Sequence, residues 1–299
     1  MVIASNWQLT KIIMRFFFSN NKNKVANSTV KNIRNSGSFC NVYTVSETGP
    51  VRDHNEDSIA YSYPENNQKN LIAVVADGMG GHNAGEVASK MACDILLEYC
   101  LKYWEKYTPE KLLQKAFKNA HKEIVETGEG NPEQQGMGTT ATSVIIQRNV
   151  CYIGHIGDSR IYLLRNGSLT QLSKDHTLVN QMFEDGDITL QERDNHPLKN
   201  VLLQALGTTT NIQPQITSNG WKVLEGDRIF MCSDGVTDVF SDGDIKDLLS
   251  MSQAEFVLEC LSCTAITRNV SDNFSALLIE ITSINRTNPS KTKEQNVIL

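Results

Sequence analysis

The chain has 299 residues, 40% hydrophobic and 21% charged, which is ordinary globular material for one large domain or two smaller ones. No apolar run approaches the roughly 18–20 residues of a transmembrane helix, and the formal net charge of -6 argues against a general binder of nucleic acid or of anionic membrane surfaces. Seven cysteines, odd in number and scattered mostly through apolar runs, read as reduced thiols and point to the cytoplasm.

Residues 1–37 are rich in Asn and Ser, carry Lys and Arg, and contain no acidic residue; the first is Glu47. We read them as a basic, poorly ordered extension dispensable for activity, although an acid-poor, Arg- and Ser-containing N-terminus also fits organelle targeting. The body then spans 38–283, and 284–299 is a polar tail. Within the body, CNVYTVSE, DSIAYSY and LIAVVAD have the β-branched and aromatic content of strands bounded by turns. Two amphipathic helical patterns follow, GEVASKMACDILLEYCLKYWEKY and PEKLLQKAFKNAHKEIVETG, the second opening on Pro109 and Glu110 as a first helical turn favours. TATSVIIQ, CYIGHIG, RIYLLR, RIFMCSD and FSALLIEI are again strand-like, and Asn166–Gly167 is a hairpin signal. Strands in runs with helices in a block imply an α+β fold with antiparallel sheets. The charged segment 178–200 interrupts this order and reads as a flap-like surface excursion. Cys260 and Cys263 form a C-x-x-C on a helical pattern whose apolar face should take both, with no second pair to complete a zinc site.

LIAVVA runs into DGMGGHNAGE at Asp77, so a buried strand would end on an aspartate and then on glycines that permit close backbone approach. A phosphate loop or a metal site would use that freedom. The glycines fit neither G-x-G-x-x-G nor a P-loop, and Asp77 and Glu86 would repel an anion. Other carboxylates recur in the same setting: Asp158 in HIGDSR, Asp234 in FMCSDG, Asp272 in VSDNFS, and Glu56 and Asp57 in RDHNEDS. Singly, each is an ordinary turn aspartate. Gathered on one sheet rim they would need cations, and oxygen donors without paired His or Cys suit Mg²⁺ or Mn²⁺ rather than zinc. SDGVTDVFSDGDIKD lacks the spacing and closing Glu of a calcium EF-hand.

The ordered set VRDHNEDS, VVADGMGG, GTTAT, GDSRIYLLR, DHTLV, CSDG and DNFS resembles the metal-dependent PP2C (PPM) serine/threonine phosphatases, in particular their bacterial-type branch, over roughly residues 40–281. The resemblance implies two packed antiparallel β-sheets flanked by helices (α-β-β-α), with the metals at one end. It implies that Asp77 bridges two Mg²⁺ or Mn²⁺ ions, with the Gly78 carbonyl, Asp234 and Asp272 completing the set. Glu56 and Asp57 would hold metal-bound waters, and Asp158 would help form a third, weaker site. A metal-bridging hydroxide would attack the phosphorus of phosphoserine or phosphothreonine while Arg52 grips the phosphate. Met79 departs from the histidine that many eukaryotic members carry after the DG pair, which leaves metal-bound water as the first candidate for protonating the leaving oxygen. Ser275 replaces the usual Thr and keeps its hydroxyl. Of the nearby histidines, His82 carries no assigned role, His155 reads as a core histidine and His176 as a loop tie.

The partners implied are phosphoserine and phosphothreonine proteins opposed by a Ser/Thr kinase, with no nucleic acid, and the chain is expected to be a monomer. No cysteine is followed by Arg in C-x5-R, and the GDxHG and GNHE motifs of the other metallophosphatases are absent. Two alternatives stay open: a catalytically silent sensor or scaffold, and a phosphatase for one narrow regulatory substrate.

Overall fold

The computed structural model describes residues 35–36, 39–64, 69–80, 84–208 and 211–283. Residues 1–34, the tail 284–299 and His82 lie outside the described residues.

Period-two alternation decides how the strands are used. In β4 (Leu71–Met79), Leu71, Ala73 and Val75 face one apolar cluster while Ile72, Val74 and Ala76 face another. A strand apolar on both faces is stable only between two layers, and β4 is an interior strand of such a sheet. Its order is β10 (Gln215–Ile216), β7 (Val150–Ile156), β6 (Ala141–Gln147), β4 and β3 (Asp57–Ser62), with β11 (Trp221–Lys222) also on β7 and β5 (Gly138–Thr139) on β4. The second sheet runs β1 (Asn35–Ser36), β2 (Cys40–Glu47), β13 (Phe274–Ile281), β12 (Arg228–Cys232), β8 (Arg160–Arg165) and β9 (Ser168–Gln171). The pairings are antiparallel throughout.

Three apolar layers hold the body together. Between the sheets lie Val42, Val75, Val144, Ile229, Leu277 and Ile279, all fully buried. Outside the β4 sheet, α1 (Ala84–Tyr103) and α2 (Pro109–Gly130) contribute Ala88, Ala92, Leu96, Leu113 and Phe117 against Ile72 and Val74. Outside the other sheet, α6 (Asp242–Leu249) and α7 (Glu255–Thr267) set Ile245, Leu258 and Leu261 against Tyr43, Phe230 and Leu278. Each Val, Leu, Ile or Phe among them contributes about 1.5–3 kcal/mol by leaving water. The arrangement is the expected α-β-β-α sandwich, and Asn166 and Gly167 both take positive φ (50° and 74°) in the β8–β9 hairpin.

Three local details differ from the sequence reading. Asn35–Ser36, assigned to the extension, pair with β2. The excursion 178–200 contains two short helices, α3 (Leu178–Glu184) and α4 (Leu190–Asp194), each started by a threonine cap whose side chain accepts a backbone N–H. Cys263 is exposed and Cys260 half-buried, because Leu258 and Leu261 fill the inward face of α7.

Candidate metal centre

Strand direction brings the acids together. β4 and β12 end on the same rim where β3 and β13 begin, so Asp57 and Asp77 stand directly opposite in the β3–β4 ladder. Asp234 opens α5 (Asp234–Thr237) just beyond β12, and Asp272 lies two residues before β13. Asp158 occupies the turn between β7 and β8. The carboxyls feel one another: Asp77 is coupled to Asp234, Asp57 and Asp158, and Asp57 to Asp234 and Asp272.

Burial, and then that crowding, hold protons on the cluster. Desolvation pushes the Asp57 carboxyl up to about 7 and that of Asp234 up to about 6. Asp77 and Asp158 lie well above the ordinary carboxylate range for the same reason, with Asp234 the leading charge on each. Glu56 is raised by desolvation, which Arg52 partly offsets.

The backbone around these groups is tied closely. Asp77 N–H donates to Thr140 Oγ1 at 3.0 Å, and the Asp77 carbonyl accepts from Thr140 N at 2.9 Å and Thr139 Oγ1 at 2.8 Å. Thr140 Oγ1 lies 2.7 Å from Ser159 Oγ, which links the end of β4 to the Asp158 turn. Asn273 accepts from Glu56 N–H at 2.9 Å and donates to the Thr48 and His54 carbonyls at 2.9 and 2.8 Å, fixing the loop that carries Arg52 and Glu56. Ser233 Oγ donates to Asp57 Oδ2 at 2.7 Å. None of Thr139, Thr140, Ser159, Ser233 or Asn273 was given a role from sequence, yet all lie inside GTTAT, GDSR, CSDG and DNFS. Their signal was their place beside the acids.

Gly78 is needed for close approach: a Cβ there would stand 2.0 Å from the Gly85 carbonyl oxygen and 2.6 Å from that of Glu56. Gly85, in the first turn of α1, is equally confined, its Cβ falling 2.8 Å from the Glu56 carboxyl. The helix start, the end of β4 and Glu56 are thus packed without room for a methyl group. His176 does tie a loop, its Nδ1 accepting from Gly157 N–H at 3.2 Å. His155 is buried beside it, with Nε2 3.0 Å from the Lys174 carbonyl oxygen and burial holding its imidazole down to about 3.

As the chain stands, no three His, Cys, Asp or Glu side chains among the described residues close into a shell that would hold an ion. Arg52 Nη2 instead engages Asp272 Oδ2 at 2.7 Å. The donor chemistry nevertheless fits a hard divalent cation. The donors are oxygens, their charges are mutually unfavourable without a counter-ion, and Asp57 Oδ1 is buried with no hydrogen-bond partner.

Two antiparallel sheets between helices, with carboxylates from both sheets and an arginine on one rim, are the architecture of a metal-dependent phosphatase. The chain belongs to the protein phosphatase 2C family, whose profile matches residues 51–273. It is 34% identical over 238 residues to the serine/threonine phosphatase stp of Listeria innocua, covering 78% of this chain and 93% of that protein. The crystal structure of the Mycobacterium tuberculosis serine/threonine phosphatase PstP/Ppp superposes with a TM-score of 0.73 at 32% identity, covering 82% of this chain and all of the other (100%). The catalytic domain of PstP in complex with two manganese ions gives a TM-score of 0.71 at 31% identity, covering 82% and 99% of the two chains.

Proposed function

We propose that this chain is a metal-dependent protein phosphatase that hydrolyses phosphoserine and phosphothreonine in proteins. The observation that carries the reading is the gathering of Asp57, Asp77, Asp158, Asp234 and Asp272 on one rim, electrostatically coupled, with Arg52 beside them. Asp77, the Gly78 carbonyl, Asp234 and Asp272 would hold two Mg²⁺ or Mn²⁺ ions. Glu56 and Asp57 would act mainly through water, and Asp158 would serve a third, weaker ion. Bound there, such cations supply a nucleophile at neutral pH and offset charge on the phosphoryl oxygens.

The chain's own residues do the rest. Arg52 would present its guanidinium to two phosphate oxygens, a fork geometry that a lysine lacks. Asn273 and Ser233 hold the Glu56 loop and the Asp57 carboxyl in place, as groups behind a ligand commonly do. We read the excursion 178–200 as a substrate-facing flap. Backbone bonds from Leu178 N–H to the Val201 carbonyl (2.9 Å) and from Leu203 N–H to the His176 carbonyl (2.8 Å) clamp its base. Lys199 reaches Asp238 at 2.7 Å, one turn beyond Asp234.

We expect the chain to act as a monomer. No helix among the described residues is long and apolar enough to cross a membrane. We place its action in the cytoplasm, on substrates of a Ser/Thr kinase. The test is hydrolysis of a phosphothreonine peptide by the purified chain with Mn²⁺, with Mg²⁺ and with EDTA, beside Asp77→Asn. Activity that needs the cation and disappears in the variant supports the reading, whereas cation-independent activity refutes it.

A further inference from the structure

The far end of α1 carries an aromatic and basic surface that the chemistry of the rim does not use. Tyr99 and Tyr103 have ring centroids 4.6 Å apart, and Tyr103 and Tyr107 5.9 Å apart. Lys102 and Lys106 lie over the Tyr103 ring at 5.3 and 5.5 Å. Lys106, Lys111 and Lys115 lie over Tyr107 at 5.4, 5.8 and 5.3 Å. Lys102, Lys106 and Lys111 are exposed, and Lys115 half-buried.

Other lysines on these helices are neutralised, Lys90 by Asp94 and Lys122 by Glu126. The four tyrosine-bound lysines make no ion pair among the described residues. Glu98, Glu105 and Glu110 are the acids of the same stretch, and Lys118 adds a fifth cation, so the patch is locally basic on a chain of net charge -6. A basic patch on an acidic protein is complementary to an anionic partner.

We propose that this tyrosine–lysine ladder is a docking site for an acidic segment of a phosphoprotein substrate, a role that rests on the phosphatase reading above. Carboxylates suit it because lysine ammoniums and tyrosine hydroxyls are all donors toward them. A nucleic-acid strand suits it less, since bases stack on open aromatic faces and the faces of Tyr103 and Tyr107 already carry lysines. Position also fits. Ala84, at the other end of the helix, packs beside the rim through neighbouring Gly85, and Tyr103 closes the 20-residue α1. At 1.5 Å per residue that is about 28 Å from the site. An extended peptide spans it in roughly 8–9 residues, so the site rewards acidic segments remote from the phosphoresidue and ignores short peptides.

The test uses the full chain and Lys102→Gln/Lys106→Gln/Lys111→Gln, three exposed positions whose replacement leaves the core untouched. Binding of a fluorescein-labelled, unphosphorylated poly-glutamate peptide is read by anisotropy at low salt, which needs no catalysis. We expect binding by the native chain and about tenfold weaker binding by the triple variant. With phosphothreonine peptides, an acidic run ten residues away should raise kcat/KM in the native chain only, a run two residues away in neither, and aryl phosphate hydrolysis should be equal in both. Equal peptide binding by the variant, no binding by the native chain, or tighter binding of a single-stranded oligonucleotide or a phosphatidylserine vesicle would overturn the proposal. Peptide binding lost in the variant, in a protein with no hydrolytic activity, would uphold the docking site and defeat the phosphatase reading instead.

Discussion

Arg52 Nη2 donates to Asp272 Oδ2 across 2.7 Å, joining two residues 220 positions apart in the chain. The pair is partly exposed, so its worth to stability is small. Its meaning is functional, because it sets a proposed phosphate-binding group directly beside a proposed metal ligand. Arg52→Ala should therefore bind Mn²⁺ no more weakly than the native chain, while kcat/KM on a phosphopeptide falls about a hundredfold, some 2.7 kcal/mol. Competitive inhibition by inorganic phosphate should weaken in parallel. Isothermal titration with Mn²⁺ beside steady-state kinetics separates the two effects, and a variant that loses the metal as well would contradict them.

Asp77 faces Asp234, Asp57 and Asp158. Asp77→Asn keeps its shape and its backbone ties to Thr139 and Thr140, so the variant should fold. We expect activity to drop by at least about a thousandfold, with Mn²⁺ affinity lowered and circular dichroism unchanged. Retained metal affinity would mean that other carboxylates hold the cation.

Gly85→Ala tests the packing between α1 and the rim. The added methyl would lie 2.8 Å from the Glu56 carboxyl and 2.9 Å from the Gly78 carbonyl carbon, and the second cannot swing aside. The cost should be about 1–3 kcal/mol, seen as a lower Tm, together with weaker Mn²⁺ binding through the displaced Glu56 loop. A Tm equal to that of the native chain would show that the helix start yields.

Asp57 gives a pH signature. Folded, its carboxyl keeps a proton up to about 7, whereas unfolded it titrates near the ordinary value of about 4. Between those values the folded state binds more protons, so this group's contribution is present at low pH and is lost as pH rises, by up to about 1.4 kcal/mol per pH unit. In EDTA, the Tm of the native chain measured against that of Asp57→Asn should fall steadily from pH 5 to pH 7. Both proteins carry His155 and His176, whose protonation acts in the opposite sense and cancels in the difference. A flat difference would mean that Asp57 is ionised throughout.

The flap makes a separable claim. Lys199→Ala removes the tie to Asp238 without touching a candidate ligand. Phosphopeptide kcat/KM should change several-fold while aryl phosphate hydrolysis stays within twofold, since only the larger substrate reaches the excursion. Equal loss on both substrates would place Lys199 in support of the Asp234 turn.

Much was legible in the sequence because it is local. The continuous apolar runs of LIAVVAD and FSALLIEI announce buried strands, Asn166–Gly167 announces a hairpin, and aspartates beside Gly, Ser or Asn at strand ends mark a rim. Those patterns are set by backbone period and turn chemistry within a few residues. The identity of each candidate acid was legible for the same reason.

What only the tertiary structure decided is how groups far apart in the chain meet. That Asp57 stands opposite Asp77, that Ser233 supports Asp57 from 176 positions away, and that Asn273 fixes the Glu56 loop all follow from strand order and register, which local propensity does not specify. The sequence marks Gly78 for close backbone approach, but what it approaches, the Gly85 and Glu56 carbonyls, and the matching confinement of Gly85 exist only where α1 presses on β4. The tyrosine–lysine ladder likewise forms because the turn after α1 folds Tyr107 back on Tyr103. Spacing along a chain fixes period and charge, but the shared low-dielectric rim that lifts Asp57 and Asp234 arises only when two sheets stack and exclude water from between them.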